Sequence, residues 1–221
     1  MTPEHHHLMQ RGDSTAAVRS VPPDDGGSIP TSPLQRLRKK DWIVADADRD
    51  VARRLIKRHH YAKGTSNTAV HVHGLFPAGW SWHEQCVGVA WWLPPTRAAA
   101  EAWAGDLWEG VLALSRLAIQ PGVPSNACSF LVSKSARLID RDRWHTLVSY
   151  ADEWRGHTGA IYMAAGWEYC GKTEPTPCYV INGRMTARKS TKTRTHAEMI
   201  ALGAELLGHF PKSRFVLRRS A

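Results

Sequence analysis

The stretch from Thr146 to Gly171, TLVSYADEWRGHTGAIYMAAGWEYCG, gathers its chemistry-bearing residues at one turn. It reads as strand, turn, helix, strand. Leu147, Val148 and Tyr150 make a short apolar run, and Asp152 falls where that run stops. A carboxylate there lies at the carboxyl end of a strand, the edge at which open α/β sheets bind their ligands. Asp152, His157 and a helix beginning near Gly156 then converge on one crevice, with a carboxylate and an imidazole for proton transfer beside a helix start that favours anions. The competing explanation is plain: Asp152 caps the helix and His157 is a surface residue.

The elements that must position these groups are legible on both sides. Trp42, Ile43 and Val44 suggest a strand, after which Asp46 or Asp48 caps a helix with Val51, Ala52, Leu55 and Ile56 at three-to-four spacing. That helix ends in His59, His60 and Tyr61. Strands are expected at 70–75, 87–93 and 112–119, the last ended by Pro121 and Gly122. A helix starts at Ser125 or Asn126, with Phe130, Leu131, Leu138 and Ile139 as its buried stripe and Asn126, Ser129 and Ser133 as a polar one. Past Gly171 come a strand at 178–181, a helix over 195–207 with Leu206 and Leu207 for burial, and a last strand at 215–217.

Composition bounds the setting. The 221 residues allow one enzyme-sized domain with tails: a leader at 1–33, rich in Pro and Gly and expected to be disordered, a catalytic domain at 40–183 and a basic extension at 184–221. Most of the net charge of +9 falls in that extension, where Arg184, Arg188, Lys189, Lys192 and Arg194 are candidate contacts to the phosphates of a polyanion such as nucleic acid. A solvated surface is the plainer alternative. The four cysteines show no CxxC pairing, which fits reduced thiols and a cytoplasmic setting, and no apolar run reaches the roughly 18 residues needed to cross a bilayer. Of the ten tryptophans, Trp80, Trp82, Trp91 and Trp92 cluster in sequence near the expected cleft, where an unstacked base could lie on them, although core packing is the plainer assignment for any single one.

The element order is similar to that of the GNAT acyltransferases, α/β proteins in which a mixed central sheet, splayed and flanked by helices, holds an acyl-coenzyme A. Four motifs point closer. HHY at 59–61, LSRLAI at 114–119, PSNACSFLVSKSARLI at 124–139 and LVSYADxxxGHxGxIYxAxxWxYxG at 147–171 together resemble the Mom-like phage DNA-modification proteins. Membership implies a GNAT-like fold that attaches a carbamoylmethyl group to the 6-amino group of adenine in DNA, shielding phage DNA from host restriction. The resemblance also implies the catalytic cluster His60, Tyr61, Asp152 and Tyr162, at matching positions.

Adenine's amino group is a poor nucleophile because its lone pair is delocalised into the ring. Its alkylation needs a proton acceptor, groups that polarise the incoming carbon unit, and a pocket for the base out of its stack. His60 and Asp152 are the expected acceptors; Tyr61 and Tyr162 donate to developing charge or stack. The same four side chains are a donor set for iron or a similar cation. Arg116, Ser129 and Asn126 are candidates for holding the donor of the transferred group. GNAT enzymes cradle the coenzyme A pyrophosphate in a Q/R-x-x-G-x-G/A turn, but both glycines are missing from Val123 to Cys128, which argues against acetyl-coenzyme A as that donor. Two alternatives stand beside this: an ordinary GNAT acetyltransferase of a protein or small-molecule amine, and a non-enzymatic DNA-binding phage protein.

Overall fold

The computed structural model describes residues 36–187 and 195–219. The expected leader, and the bases Arg188, Lys189, Lys192 and Arg194, lie outside the described residues; so does the side chain of Arg184. In chain order the elements are β1 (Trp42–Asp46), α1 (Arg49–His59), β2 (His71–Pro77), β3 (Gly88–Leu93), α2 (Arg97–Ala104), β4 (Val111–Ile119), α3 (Ala127–Leu138) and β5 (Thr146–Ala151). There follow α4 (Ala160–Ala164), β6 (Glu168–Lys172), β7 (Thr176–Ile181), β8 (Arg184–Ala187), α5 (His196–Ala201), β9 (Glu205–Phe210) and β10 (Ser213–Arg218).

Seven strands form the central sheet in the order β1-β2-β3-β4-β5-β10-β6, and a smaller sheet runs β8-β7-β9. Alternation along β3 sorts side chains between the two faces of the large sheet. Val89 and Trp91 pack with Val51, Ala52, Leu55 and Ile56 of α1, whereas Ala90 and Trp92 pack with Leu131 and Val132 of α3. Asp48 caps α1 by accepting from the backbone N–H groups of Asp50 and Val51, each at 2.9 Å.

The feature that positions the site is a split in this sheet. All its pairings are antiparallel except β4 with β5, which run parallel and pair only from Val111–Ala113 to Thr146–Val148. Beyond Ala113 the two strands part. A bulge accompanies the parting: Trp91 faces Arg116 and Trp92 faces Leu114, so Ser115 is the extra residue that turns β4 away. A mixed sheet flanked by helices and opened at its one parallel pair is the GNAT-like architecture that the motifs imply.

Three expectations need correction. The boundary drawn at 183/184 does not separate a C-terminal extension, because β10 enters the central sheet between β5 and β6 and buries Phe215 and Val216 to 1 % exposure. The helix expected over 195–207 stops at Ala201: Gly203 at φ 77° reverses the chain, and Leu206 and Leu207 fall in β9, partly exposed. Trp91 and Trp92 are fully buried on opposite faces, Trp82 is exposed, and Trp80 stacks on Phe76, so these four form no platform at a cleft.

Candidate active site

The split between β4 and β5 opens into a cavity of about 310 Å³, within the roughly 300–1,000 Å³ usual for ligand pockets. Its walls include Leu114, Ser115 and Leu117 of β4, Tyr150 and Ala151 of β5, and the turn from Gly156 to Tyr162. All four residues of the expected cluster, His60, Tyr61, Asp152 and Tyr162, line this one cavity, and His157 joins them.

Each arrives by a local cause. Helix α1 ends where His60 turns extended, with φ −97° and ψ 139°, which turns His60 and Tyr61 off the helix and towards the mouth. Asp152 follows the last residue of β5. Its side chain caps nothing; the Tyr61 hydroxyl donates to Oδ2, and Lys212 Nζ lies 2.7 Å from Oδ1 as an ion pair rather than a well-aimed hydrogen bond. Tyr162 sits on α4, its hydroxyl oxygen 2.8 Å from Ser149 Oγ, which is also 3.2 Å from the carbonyl oxygen of Leu114 across the split.

Rings and a guanidinium stack beside Tyr61. The His60 and Tyr61 rings lie 4.4 Å apart, and Arg155 Cζ sits 4.3 Å from both the Tyr61 and Trp154 ring centres. Trp154 in turn stacks on Phe210 of β9, and Arg155 donates to the carbonyl oxygen of Met185 in β8 at 2.6 Å. The small sheet is thereby tied to the site.

The electrostatics follow from burial and these partners. Burial, reinforced by the Arg116 charge, pushes the His60 imidazole down to about 4, so the ring is neutral at physiological pH. Its Nδ1 accepts from the Ala62 N–H at 3.0 Å, so the neutral ring carries its proton on Nε2 and presents a donor. That corrects its expected role as proton acceptor. Burial would raise the Asp152 carboxyl, but Lys212 and the Tyr61 hydroxyl outweigh it and hold the group below its ordinary value. Tyr61 keeps 41 % of its surface open, yet its hydroxyl end faces inward onto a carboxylate that is 4 % exposed. Burial and then Asp152 push that phenol up, and burial pushes Tyr162 up as well.

The residues do not fit a cation. Asp152 has one oxygen on the Tyr61 hydroxyl and the other on an ammonium, and the Tyr162 oxygen is engaged by Ser149. Among the described residues no group of three or more His, Cys, Asp and Glu is placed to hold a metal. The expected donor-binding residues each have local partners. Ser129 donates to the Asn126 carbonyl at 3.0 Å, Asn126 Oδ1 accepts from the Leu37 N–H at 2.7 Å, and neither lines the cavity. Arg116 donates from Nε to the Gly64 carbonyl at 2.9 Å and from Nη1 to the Ser115 carbonyl at 2.7 Å, close enough to bear on His60 and Tyr61.

Spacing alone missed Lys212 and Arg155. Lys212 is sixty positions from Asp152 in the chain, and only the antiparallel pairing of β10 with β5, with Ser213 opposite Ala151, sets it beside the carboxylate. Arg155 lay inside the quoted motif, and the signal there was its place next to Trp154.

Solved structures share the outline. An alanine N-acetyltransferase of ribosomal protein S18 from Escherichia coli is 11 % identical, covering 81 % of this chain and 95 % of that one at a TM-score of 0.49. An acetyltransferase from Bacillus subtilis, solved with CoA, is 9 % identical over 81 % of this chain and 98 % of that one at 0.48. A third, from Acinetobacter baylyi, is 10 % identical over 80 % and 91 % at 0.49. Likeness at this level bears on neither substrate nor cofactor. No curated protein matches the chain. The match that carries weight is to the model of the Mom protein family over residues 41–214, a span that takes in every residue of the cavity cluster as well as Lys212, and the chain belongs to that family.

Proposed function

We propose that this GNAT-related transferase moves a carbamoylmethyl group onto the 6-amino group of adenine in double-stranded DNA, the modification that would shield phage DNA from host restriction. The single observation that carries the reading is the convergence of Tyr61, Asp152, His60 and Tyr162 on one cavity, with a phenol already hydrogen-bonded to an ionised carboxylate. The donor is an electrophilic acetamido carbon bearing a leaving group. As N6 bonds to that carbon, the bond to the leaving group breaks and its electron pair departs with it. The N6 proton passes to Tyr61 Oη while the phenolic proton passes to Asp152 Oδ2, which spares the site a free phenolate. His60 Nε2–H and the Tyr162 hydroxyl supply donors for the carbonyl oxygen of the incoming group or the ring nitrogens of the base.

The test is mass spectrometry of nucleosides from cells expressing the chain. Modified adenine with the native sequence, and none with Asp152→Asn, is the expected pair of results. Unmodified DNA together with tight acetyl-coenzyme A binding moves the chain to the ordinary acetyltransferases; unmodified DNA with DNA binding alone makes it a binding protein.

A further inference from the structure

Lys212 lies in the two-residue link between β9 and β10, and its backbone is fixed from both sides by one residue. It donates its N–H to Thr173 Oγ1 at 3.0 Å, and the Thr173 N–H donates to its carbonyl at 2.9 Å. The register of β10 on β5 then aims its side chain at Asp152, with Nζ 2.7 Å from Oδ1. The neighbouring carboxylate does not compete for it. Glu153 has its own partners in Lys172 Nζ at 2.7 Å and the Ser213 hydroxyl. The other titratable groups facing Asp152 are Tyr61 and His60 at the end of α1, Arg116 of β4, Arg155 and His157 of the following turn, Tyr162 of α4 and Cys178 of β7. None of these but Tyr61 has a polar bond to the carboxylate among the described contacts.

The geometry points to Lys212 as the positioning residue of the site: its ammonium keeps the enclosed Asp152 carboxylate ionised and turned so that Oδ2 takes the Tyr61 hydroxyl proton. A carboxylate enclosed to 4 % exposure with one phenol for company is costly to keep charged. Without the ammonium it takes up a proton, and the relay from N6 through Tyr61 has nowhere to end. The inference rests on the proposed adenine modification only for its activity arm.

The first arm needs no substrate. Infrared difference spectra of the full-length protein at neutral pH are compared for the native sequence, Lys212→Met and the double variant Lys212→Met/Asp152→Asn. The expected result is a new un-ionised carboxyl C=O stretch in Lys212→Met that is absent from both the native protein and the double variant. A spectrum unchanged by Lys212→Met, or an un-ionised band already present in the native protein and removed by Asp152→Asn, overturns the assignment. Lys212→Gln, which keeps a polar stem without the charge, serves in the same way should Lys212→Met not fold. The second arm measures modified adenine in plasmid DNA from expressing cells: Lys212→Met falls by about a hundredfold and Lys212→Arg stays within about tenfold of native. If native cells contain no modified adenine while the infrared band behaves as expected, the proposed reaction fails and the role of Lys212 stands.

Discussion

At the scale of single residues, Tyr61 separates chemistry from packing. Its ring is held between His60 and Arg155, and its hydroxyl reaches Asp152, so Tyr61→Phe keeps the stack and removes only the relay atom. Loss of that donor leaves a buried oxygen unpaired, a cost of about 1–3 kcal/mol in unfolding free energy. Modified adenine falls by about a hundredfold or more, as expected of a proton-transfer group; nucleoside mass spectrometry and urea unfolding read the two effects apart. A second residue acts on stability alone. His73 is 2 % exposed, with Nδ1 2.7 Å from Ser135 Oγ, which also accepts from Trp92 Nε1 at 2.7 Å. Burial pushes its imidazole down to about 4, against a pull the other way from Asp46. The unfolded chain therefore binds a proton that the folded chain refuses between pH 6.5 and about 4. Stability is complete above 6.5 and declines as the pH drops through that window, by on the order of 3 kcal/mol at about 1.4 kcal/mol per unit. Half-buried His60 adds to the decline with the same sign. Urea midpoints at pH 7.5 and pH 4.5 should differ less in His73→Gln than in the native protein.

At the scale of elements, the parts readable in the sequence were those fixed by local pattern. The stripe Val51, Ala52, Leu55 and Ile56 makes α1, apolar runs make β2 to β5, and the helix start near Asn126 becomes α3 at Ala127. That local order set Asp152 and His157 at one crevice, whereas the meeting of Tyr61 with Asp152 was implied by the family resemblance alone. What escaped is non-local. The run RAAAEAWA forms α2, whose one buried residue, Ala100, gives no periodic apolar signal, and the place of β10 depends on pairing with β5, where even the nearest partners, Ser213 and Ala151, are 62 positions apart. The glycines after Asp152 show how local and distant demands meet. Gly156 and Gly159 both have φ near +80°, but a Cβ at Gly156 meets open space whereas one at Gly159 runs into the Phe215 ring of β10. Gly156→Ala therefore costs about 1–2 kcal/mol, the penalty of a left-handed residue. Gly159→Ala adds a displaced core ring and costs about 1–3 kcal/mol more. Denaturant unfolding of the two variants measures the gap; equal losses would mean that α4 and β10 do not pack as described.

At the scale of the whole molecule, the net charge of +9 favours a polyanionic partner, and the structure narrows which cations would meet one. Lys212 and Lys172 are paired with Asp152 and Glu153, and Arg155 is taken up by two rings and the Met185 carbonyl. Arg219, near the C-terminal end of the basic extension, donates to the carbonyls of Ala136 in α3 and of Ile139, Asp140 and Trp144 after it. Neutralising these changes the site or the fold rather than the attraction for phosphates. The bases Arg188, Lys189, Lys192 and Arg194 fall in sequence between the strand that anchors Arg155 and the link that carries Lys212, which brackets them with two groups of the active site. DNA held by this segment would release one counterion set per phosphate contact, so the logarithm of affinity declines with the logarithm of salt by about 0.9 for each. Replacing all four by Gln should flatten the slope by about three to four units between 50 and 200 mM salt, while Lys212→Met leaves it unchanged. A slope that survives the fourfold replacement would move the DNA contact elsewhere on the protein and leave the segment as solvated surface.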